Sequence, residues 1–438
     1  MNQQNNDHQA VLPRRSRRLG TIFIPASYWI SMGYSEHDAD LMVKLQTDMK
    51  KYSDGDYAEI KLCSMRYYGG VLPHHDLMLP HWKKLAKALE GRTSVEQQFL
   101  IQNNSLPVPV LDIVFPTLQT MNLETLTLFT TELGNDGFQC LSAFLKENTS
   151  LVFLNLGGDT ITDMSVANTF SDAIKNHPSL HMIMLLDCSL SNGTDILRII
   201  LEGCTRLPSL VLDMNNLRSE AAVLLADFIR NNHLMDTLEL EHNNFSNDDT
   251  LLLASALKYN TNLNKLNLQK NNNITEEGEK TLLKAMFDPT SMDSIVKSNH
   301  TCLPYTYDIE DIDATDQRPS LEQELFNING WETRIGKKIR WKVVLALCGV
   351  DGELFDLSYL NDLPIQLMPR VLELIQKHTE ARTEEVTHTL VYHPRLLEKD
   401  ALTRLFHTLR GWELPLLFEN LSPKKETAGK RKKRKTRR

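Results

Sequence analysis

The sequence of 438 residues has little of what marks several large protein classes. It holds six cysteines, Cys63, Cys140, Cys188, Cys204, Cys302 and Cys348, widely spaced and without a CxxC pair. That spacing speaks against a zinc ribbon, a thioredoxin-like redox motif and a disulfide-dense scaffold, and leaves reduced thiols as the expectation. No apolar run approaches the ~20 residues that a helix needs to cross a bilayer. A phosphate loop (GxxxxGK then Ser or Thr), a GxGxxG fingerprint, a GxSxG elbow and an HExxH helix are all missing, so the common nucleotide, hydrolase and zinc-protease chemistries have no motif to rest on.

Charge is plentiful but unevenly placed. The net charge of −8 conceals a tail, Lys424–Arg438, with ten Lys or Arg against Glu426, and an N-terminal stretch with Arg14, Arg15, Arg17 and Arg18 against Asp7. Setting aside +9 and +3 for those ends leaves −20 on residues 20–423, an acidic body with two basic ends. The Arg-rich stretch precedes mildly apolar Leu19–Ile30, which Pro25 interrupts and which has no clear small-residue cleavage site. It reads as an extended arm rather than a targeting peptide.

Internal repetition decides the fold class. The pattern Leu-x-Leu recurs with first residues Leu126, Leu154, Ile183, Leu210, Leu238 and Leu266, at steps of 27 to 29 residues. Five residues past each stand Thr131, Asp159, Cys188, Asn215, Asn243 and Asn271. Alternation gives a short strand with its leucines inward, and the polar side chain at the following turn can satisfy backbone groups left inside the coil. Nine residues past each first position come Asn135, Asp163, Asn192, Ser219, Asn247 and Thr275, all suited to cap a helix. The helices are expected to stop near Asn148, Asn176, Gly203, Asn231 and Asn260 with a left-handed residue. Gln98–Leu100 with Asn103 looks like a preceding unit, and Ile295, followed by Asn299 and Leu303, like a terminal strand. His81–Glu90 reads as a capping helix presenting Trp82, Leu85 and Leu89.

These residues resemble the ribonuclease-inhibitor-like class of leucine-rich repeats. The Leu-rich flanks and basic C-terminus also resemble leucine-rich-repeat families expanded in some microalgae. The resemblance implies an α/β solenoid, a horseshoe with parallel strands on the concave side, helices on the convex side, and a C-terminal helical region. It implies protein binding without naming a partner. The expected organisation is an N-terminal arm and lead-in (1–58), an N-terminal capping region (59–94), the repeat solenoid (95–303), an acidic linker (304–319), a helical region (320–422) and a basic tail (423–438). Within the helical region the amphipathic stretches are Leu321–Phe326, Trp331–Cys348, Leu367–His378 and Leu396–Leu409.

Chemistry is sparse. His74, His75, Asp76 and His81 form the best metal-like cluster, but Pro80 separates its members; His300 with Cys302 is weaker still. Cys188 reads as a buried structural thiol. No catalytic residue, metal site or cofactor is expected, and the chain is read as a non-enzymatic scaffold. Its partner-binding candidates lie on the concave face: Phe129, Phe153, Met182, Met184, Asp187, Asp213, Met214, Glu239, Glu241 and His242. There an apolar strip meets carboxylates, an arrangement suited to a protein partner, one with a basic surface. Lys424, Lys425, Lys430, Arg431, Lys432, Lys433, Arg434 and Lys435 read as a nuclear import signal for an import receptor, placing the chain in the nucleus or shuttling; a merely solubilising tail would leave it cytoplasmic. Two alternatives are a nucleic-acid-associated protein acting through its basic tails, without sequence specificity, and a GTPase-activating repeat protein.

Overall fold

The structure, a computed structural model, describes residues 22–55, 57, 59–64, 70–92, 97–306, 321–330 and 333–348. They fall into two compact units, one of residues 22–286 with 301–306, the other of 287–300, 321–330 and 333–348. The Arg-rich arm, the acidic residues 308–316, the stretches Leu367–His378 and Leu396–Leu409, and the basic tail lie outside the described residues.

The first unit is a repeating α/β array. Its strands are β1 (Glu59–Cys63), β2 (Gln97–Gln102), β3 (Leu123–Phe129), β4 (Phe153–Gly157), β5 (Met182–Leu186), β6 (Ser209–Val211), β7 (Thr237–Glu239), β8 (Lys265–Asn267) and β9 (Leu303–Tyr305). They form one parallel sheet in strict chain order. Helices α1 (Ala26–Ser31) and α2 (Glu36–Asp54) precede the sheet, and α3 (Leu79–Leu89), α4 (Val108–Gln119), α5 (Gly134–Glu147), α6 (Met164–Asn176), α7 (Thr194–Gly203), α8 (Ser219–Asn231), α9 (Asn247–Leu257) and α10 (Glu276–Met286) alternate with its strands. Each strand from β1 to β7 thus meets the next after one helical return, the pattern of a solenoid-like repeat.

The repeat spacing appears directly in the register. Leu126, Leu154, Ile183, Leu210, Leu238 and Leu266 stand side by side across β3 to β8, and all six are fully buried. Burying each such side chain contributes ~1.5–3 kcal/mol relative to exposure. Helices supply the facing layer, with Phe115 stacked on Phe144 at 5.1 Å and Phe138 edge-on to Phe170 at 5.3 Å. At the N-terminal end Trp82, Leu85 and Leu89 of α3 are buried in the same core.

Four expectations need correction. In the unit before β3, Phe99 and not Gln98 aligns with Leu126, so Phe99 and Ile101 point inward and the buried turn residue is Asn104 rather than Asn103. A one-residue slip reverses both faces of a strand. Ile295 lies in a helix of the second unit, α11 (Met292–Lys297), and the last strand is β9, where Pro304 aligns with Leu266. Pro304 lacks an N–H, which suits the last strand of the described sheet.

Of the expected helix caps, Asp163 caps as foreseen, accepting from the Ser165 and Val166 N–H groups at 2.8 and 3.0 Å, and Thr275 directly precedes α10, whereas α7 and α8 start after Gly193 and Arg218 rather than after Asn192 and Ser219. Asn135 and Asn247 sit inside the first turn of α5 and α9, and their side-chain oxygens instead accept the N–H groups of Thr162 and Thr275 one coil further on, at 3.0 and 2.9 Å. Nor are the helix ends left-handed. Asn148 has φ −77°, and its Oδ1 accepts the N–H groups of Ser150 and Leu151 at 3.0 and 2.8 Å. Asn232 and Asn260 form the same side-chain turn.

The second unit contains α11, α12 (Leu321–Gly330) and α13 (Ile335–Cys348). Lys342 of α13 is fully buried and donates to the Asn299 carbonyl at 2.7 Å. Burial, with the charge of Lys338 second, holds its ammonium well below the usual lysine range.

Candidate functional site

Outward strand positions alternate with the inward leucines and line up in rows. One row runs Thr125, Phe153, Met182, Ser209, Thr237 and Lys265; the next runs Thr127, Asn155, Met184, Val211, Glu239 and Asn267. Neighbouring strands lie ~4.8 Å apart, so Phe153 and Met182, direct register partners, touch one neighbourhood with Met184 two residues along. Phe153 is 40% exposed and Met214, two coils further, is 51% exposed. Between them Val211 is only 3% exposed, so the apolar strip is interrupted where that shorter side chain sinks between its neighbours. Phe129 lies one coil before Phe153 in a third row. Its ring lies over Gly157, where a Cβ would sit 2.5 Å from it, so the missing side chain is what seats the ring.

A second pattern was not foreseen. The residue following each third outward position adopts a left-handed backbone: Asn103, Thr130, Asp187, Met214, His242 and Lys270 have φ between 51° and 59°, and Gly158 has 70°. A non-glycine residue there costs roughly 1–2 kcal/mol, a strain that persists only when the surroundings enforce it. The enforcement is visible in the bonding. Asp187 N–H donates to the Asp213 carbonyl at 3.2 Å, Met214 N–H to Glu241 at 3.0 Å and His242 N–H to Gln269 at 3.0 Å. The reversal turns the next side chain inward and holds Asp187, Met214, His242 and Lys270 outward along one rim.

The inward side chains form the ladder expected of the repeats. Asn215 accepts the Cys188 and Leu190 N–H groups and donates to the Leu185 and Asp213 carbonyls. Asn243 repeats the pattern one coil on. Asp159 accepts from the Thr131 N–H and hydroxyl and the Leu133 N–H; burial nevertheless raises its carboxyl above the usual range. Cys188 is buried, with its thiol pushed up to about 12, chiefly by burial. That makes it a poor nucleophile.

The charged end of the outward face is a network rather than a bare acidic patch. Glu239 pairs with Lys265 at 2.8 Å and Glu241 with Lys270 at 2.8 Å, and His242 Nε2 lies 3.7 Å from Glu241. Burial alone would push the Glu241 carboxyl up, but the Lys270 bond and charge, with His242 and Asn267, outweigh it and hold it below its usual range. Asp213 differs. Its Oδ1 accepts the Glu241 N–H at 2.7 Å, yet burial first, then the Glu239 and Glu241 charges, raises its carboxyl to about 6 against the pull of Lys265. The two lysines are legible in the sequence one repeat beyond their partners, but their pairing depends on side chains crossing between coils.

Among the described residues no group of three or more His, Cys, Asp or Glu side chains could hold a metal ion. His75 uses Nδ1 to accept the Leu77 N–H at 3.1 Å, His81 is buried, and His300 is pushed down to about 4 by burial and then by Lys342. No described helix is long and apolar enough to cross a membrane. No protein-family model matches the chain, and no curated protein is similar to it in sequence.

Proposed function

We propose that the chain is a non-enzymatic leucine-rich-repeat protein of the ribonuclease-inhibitor-like type, which binds a protein partner on the concave side of a horseshoe. The observation that carries this reading is the outward sheet face, where exposed Phe153 and Met214 flank Met182 and Met184 and border the carboxylates of Asp187 and Asp213. The alignment of six Leu-x-Leu units in one row supports the repeat type. Methionine adapts its shape to a partner, and a rigid repeat array presents such side chains without an ordering cost at the moment of binding. Residues 320–422 form a helical region in this proposal, for which α12 and α13 give support, and Lys424–Arg438 acts as an import signal.

The test is quantitative capture by the full-length chain, with Phe153→Ala and Met184→Ala. Each truncation should weaken the main captured partner by ~1–2 kcal/mol if it removes an anchor. Thermal unfolding should be unchanged, because both side chains point away from the leucine core. Undiminished capture by both variants refutes the concave-face assignment.

A further inference from the structure

The two carboxylates that the lysines leave over are the ones beside the apolar strip. Among the described residues Glu239 and Glu241 have Lys265 and Lys270 as close partners, whereas Asp187 and Asp213 make no ion pair. Asp213 uses only Oδ1, toward the Glu241 N–H; its Oδ2 takes no hydrogen bond among the described residues. The two residues are locked side by side, since the Asp187 N–H bonds the Asp213 carbonyl and the left-handed turn at Asp187 fixes its direction. Met182 and Met184 lie on β5, and Met214 follows Asp213 directly.

We propose that the partner on this face inserts an Arg or Lys side chain at Asp187 and Asp213, next to an apolar side chain packed on Met182 and Met184, and that this contact requires Asp213 to be ionised. The proposal rests on the concave-face reading and specifies the partner's chemistry. Charge complementarity selects a basic group: a third carboxylate beside Glu239 and Glu241 is repelled, and an incoming cation relieves that repulsion. The groups facing Asp213 are Glu239 on β7, Glu241 just beyond it and Lys265 on β8, with Asp187 on the preceding coil, and with His242 and Lys270 reaching it through Glu241. Ionisation of Asp213 is suppressed below about pH 6, so a basic segment binds more tightly as pH rises through that value.

Fluorescence anisotropy with the full-length chain and a labelled octapeptide of alternating Leu and Arg tests this; the matching Leu and Glu peptide is the charge control. The Leu–Arg peptide should bind about fivefold more tightly near pH 7.5 than near pH 5, the scale of one partly buried charge contact. Asp213→Asn should abolish that ratio, whereas Glu276→Gln, which removes one exposed carboxylate on α10, should keep it. A histidine can also gain charge in this interval, so His242→Asn is included and should keep the ratio. Without peptide, Asp213→Asn should raise the melting temperature most near pH 7.5, less near pH 5, and not at all below the ordinary aspartate range. The sign follows because a carboxyl whose pKa is raised on folding costs stability that starts as pH climbs through its ordinary range and is complete above the raised value. A ratio that survives Asp213→Asn, equal binding of both peptides, or no binding of the Leu–Arg peptide overturns the proposal. Sensitivity of binding to Met184→Ala in the first case leaves the concave-face reading standing; indifference to both Met184→Ala and Asp213→Asn removes both.

Discussion

Replacing Asn215 with Ala would remove four hydrogen bonds, three of them to the preceding coil, and the structure allows the cost to be worked out group by group. Asn215 is 1% exposed. Its Oδ1 accepts the Cys188 N–H at 2.8 Å and, more weakly, that of Leu190 at 3.4 Å; its Nδ2 donates to Leu185 at 2.7 Å and Asp213 at 3.0 Å. The Asp213 carbonyl keeps the Asp187 N–H, so its loss is small. The Cys188 N–H has no other partner among the described residues, and orphaning a buried donor costs ~1–3 kcal/mol. The Leu185 carbonyl forfeits a well-formed bond, worth ~0.5–1.5 kcal/mol. The sum is about 1.5–4.5 kcal/mol. The control is Asn244→Ala, an exposed neighbour whose Nδ2 makes one bond, to Asn216, and whose loss should cost under ~0.5 kcal/mol. Urea titrations of both variants followed by far-ultraviolet circular dichroism give the comparison. An Asn215→Ala loss no larger than that of Asn244→Ala would refute the ladder as a source of stability.

Two further outcomes can be checked independently. Asp159→Asn should gain stability relative to the unchanged chain as pH climbs through the window above the ordinary aspartate range, because burial raises the Asp159 carboxyl, although at every pH it gives up one of the two acceptor oxygens that serve Thr131 and Leu133. The gain should shrink as pH falls through that window; a constant gain from acid to neutral pH would contradict the cause given. Deleting Lys424–Arg438 should move a fluorescent fusion from nucleus to cytoplasm without altering the melting temperature, and unchanged nuclear accumulation would leave that tail with a solubilising role only.

Much of the core was legible from spacing alone. Leu126 through Leu266 recur at the interval of one strand, turn, helix and return, and the structure aligns all six. The candidate face was legible in the same way, because outward positions follow automatically once inward ones are known. What escaped was local. The Gln98 frame failed by one residue because Gln-Gln-Phe-Leu-Ile-Gln offers two overlapping alternations of apolar residues, and only pairing with β3 selects Phe99 and Ile101. Asn135 and Asn247 have the chemistry of helix caps, yet their oxygens meet N–H groups of the next coil sooner than their own helix. Helices α1 and α2 lie in a stretch without the repeat signature, and neither was anticipated.

By itself the sequence determined the period, the inward leucines, the ladder side chains and the alternation of strand with helix, since each depends on residue type and spacing within one repeat. The tertiary structure decided what depends on adjacent repeats. It brought Lys265 to Glu239 and Lys270 to Glu241, left Asp187 and Asp213 as the carboxylates beside the methionines, and sank Val211 between its neighbours. It also imposed the left-handed turn that aims Asp187, Met214 and His242 outward. Those outcomes rest on distances between side chains about 28 residues apart in sequence, which periodicity can align but whose contacts only packing can settle.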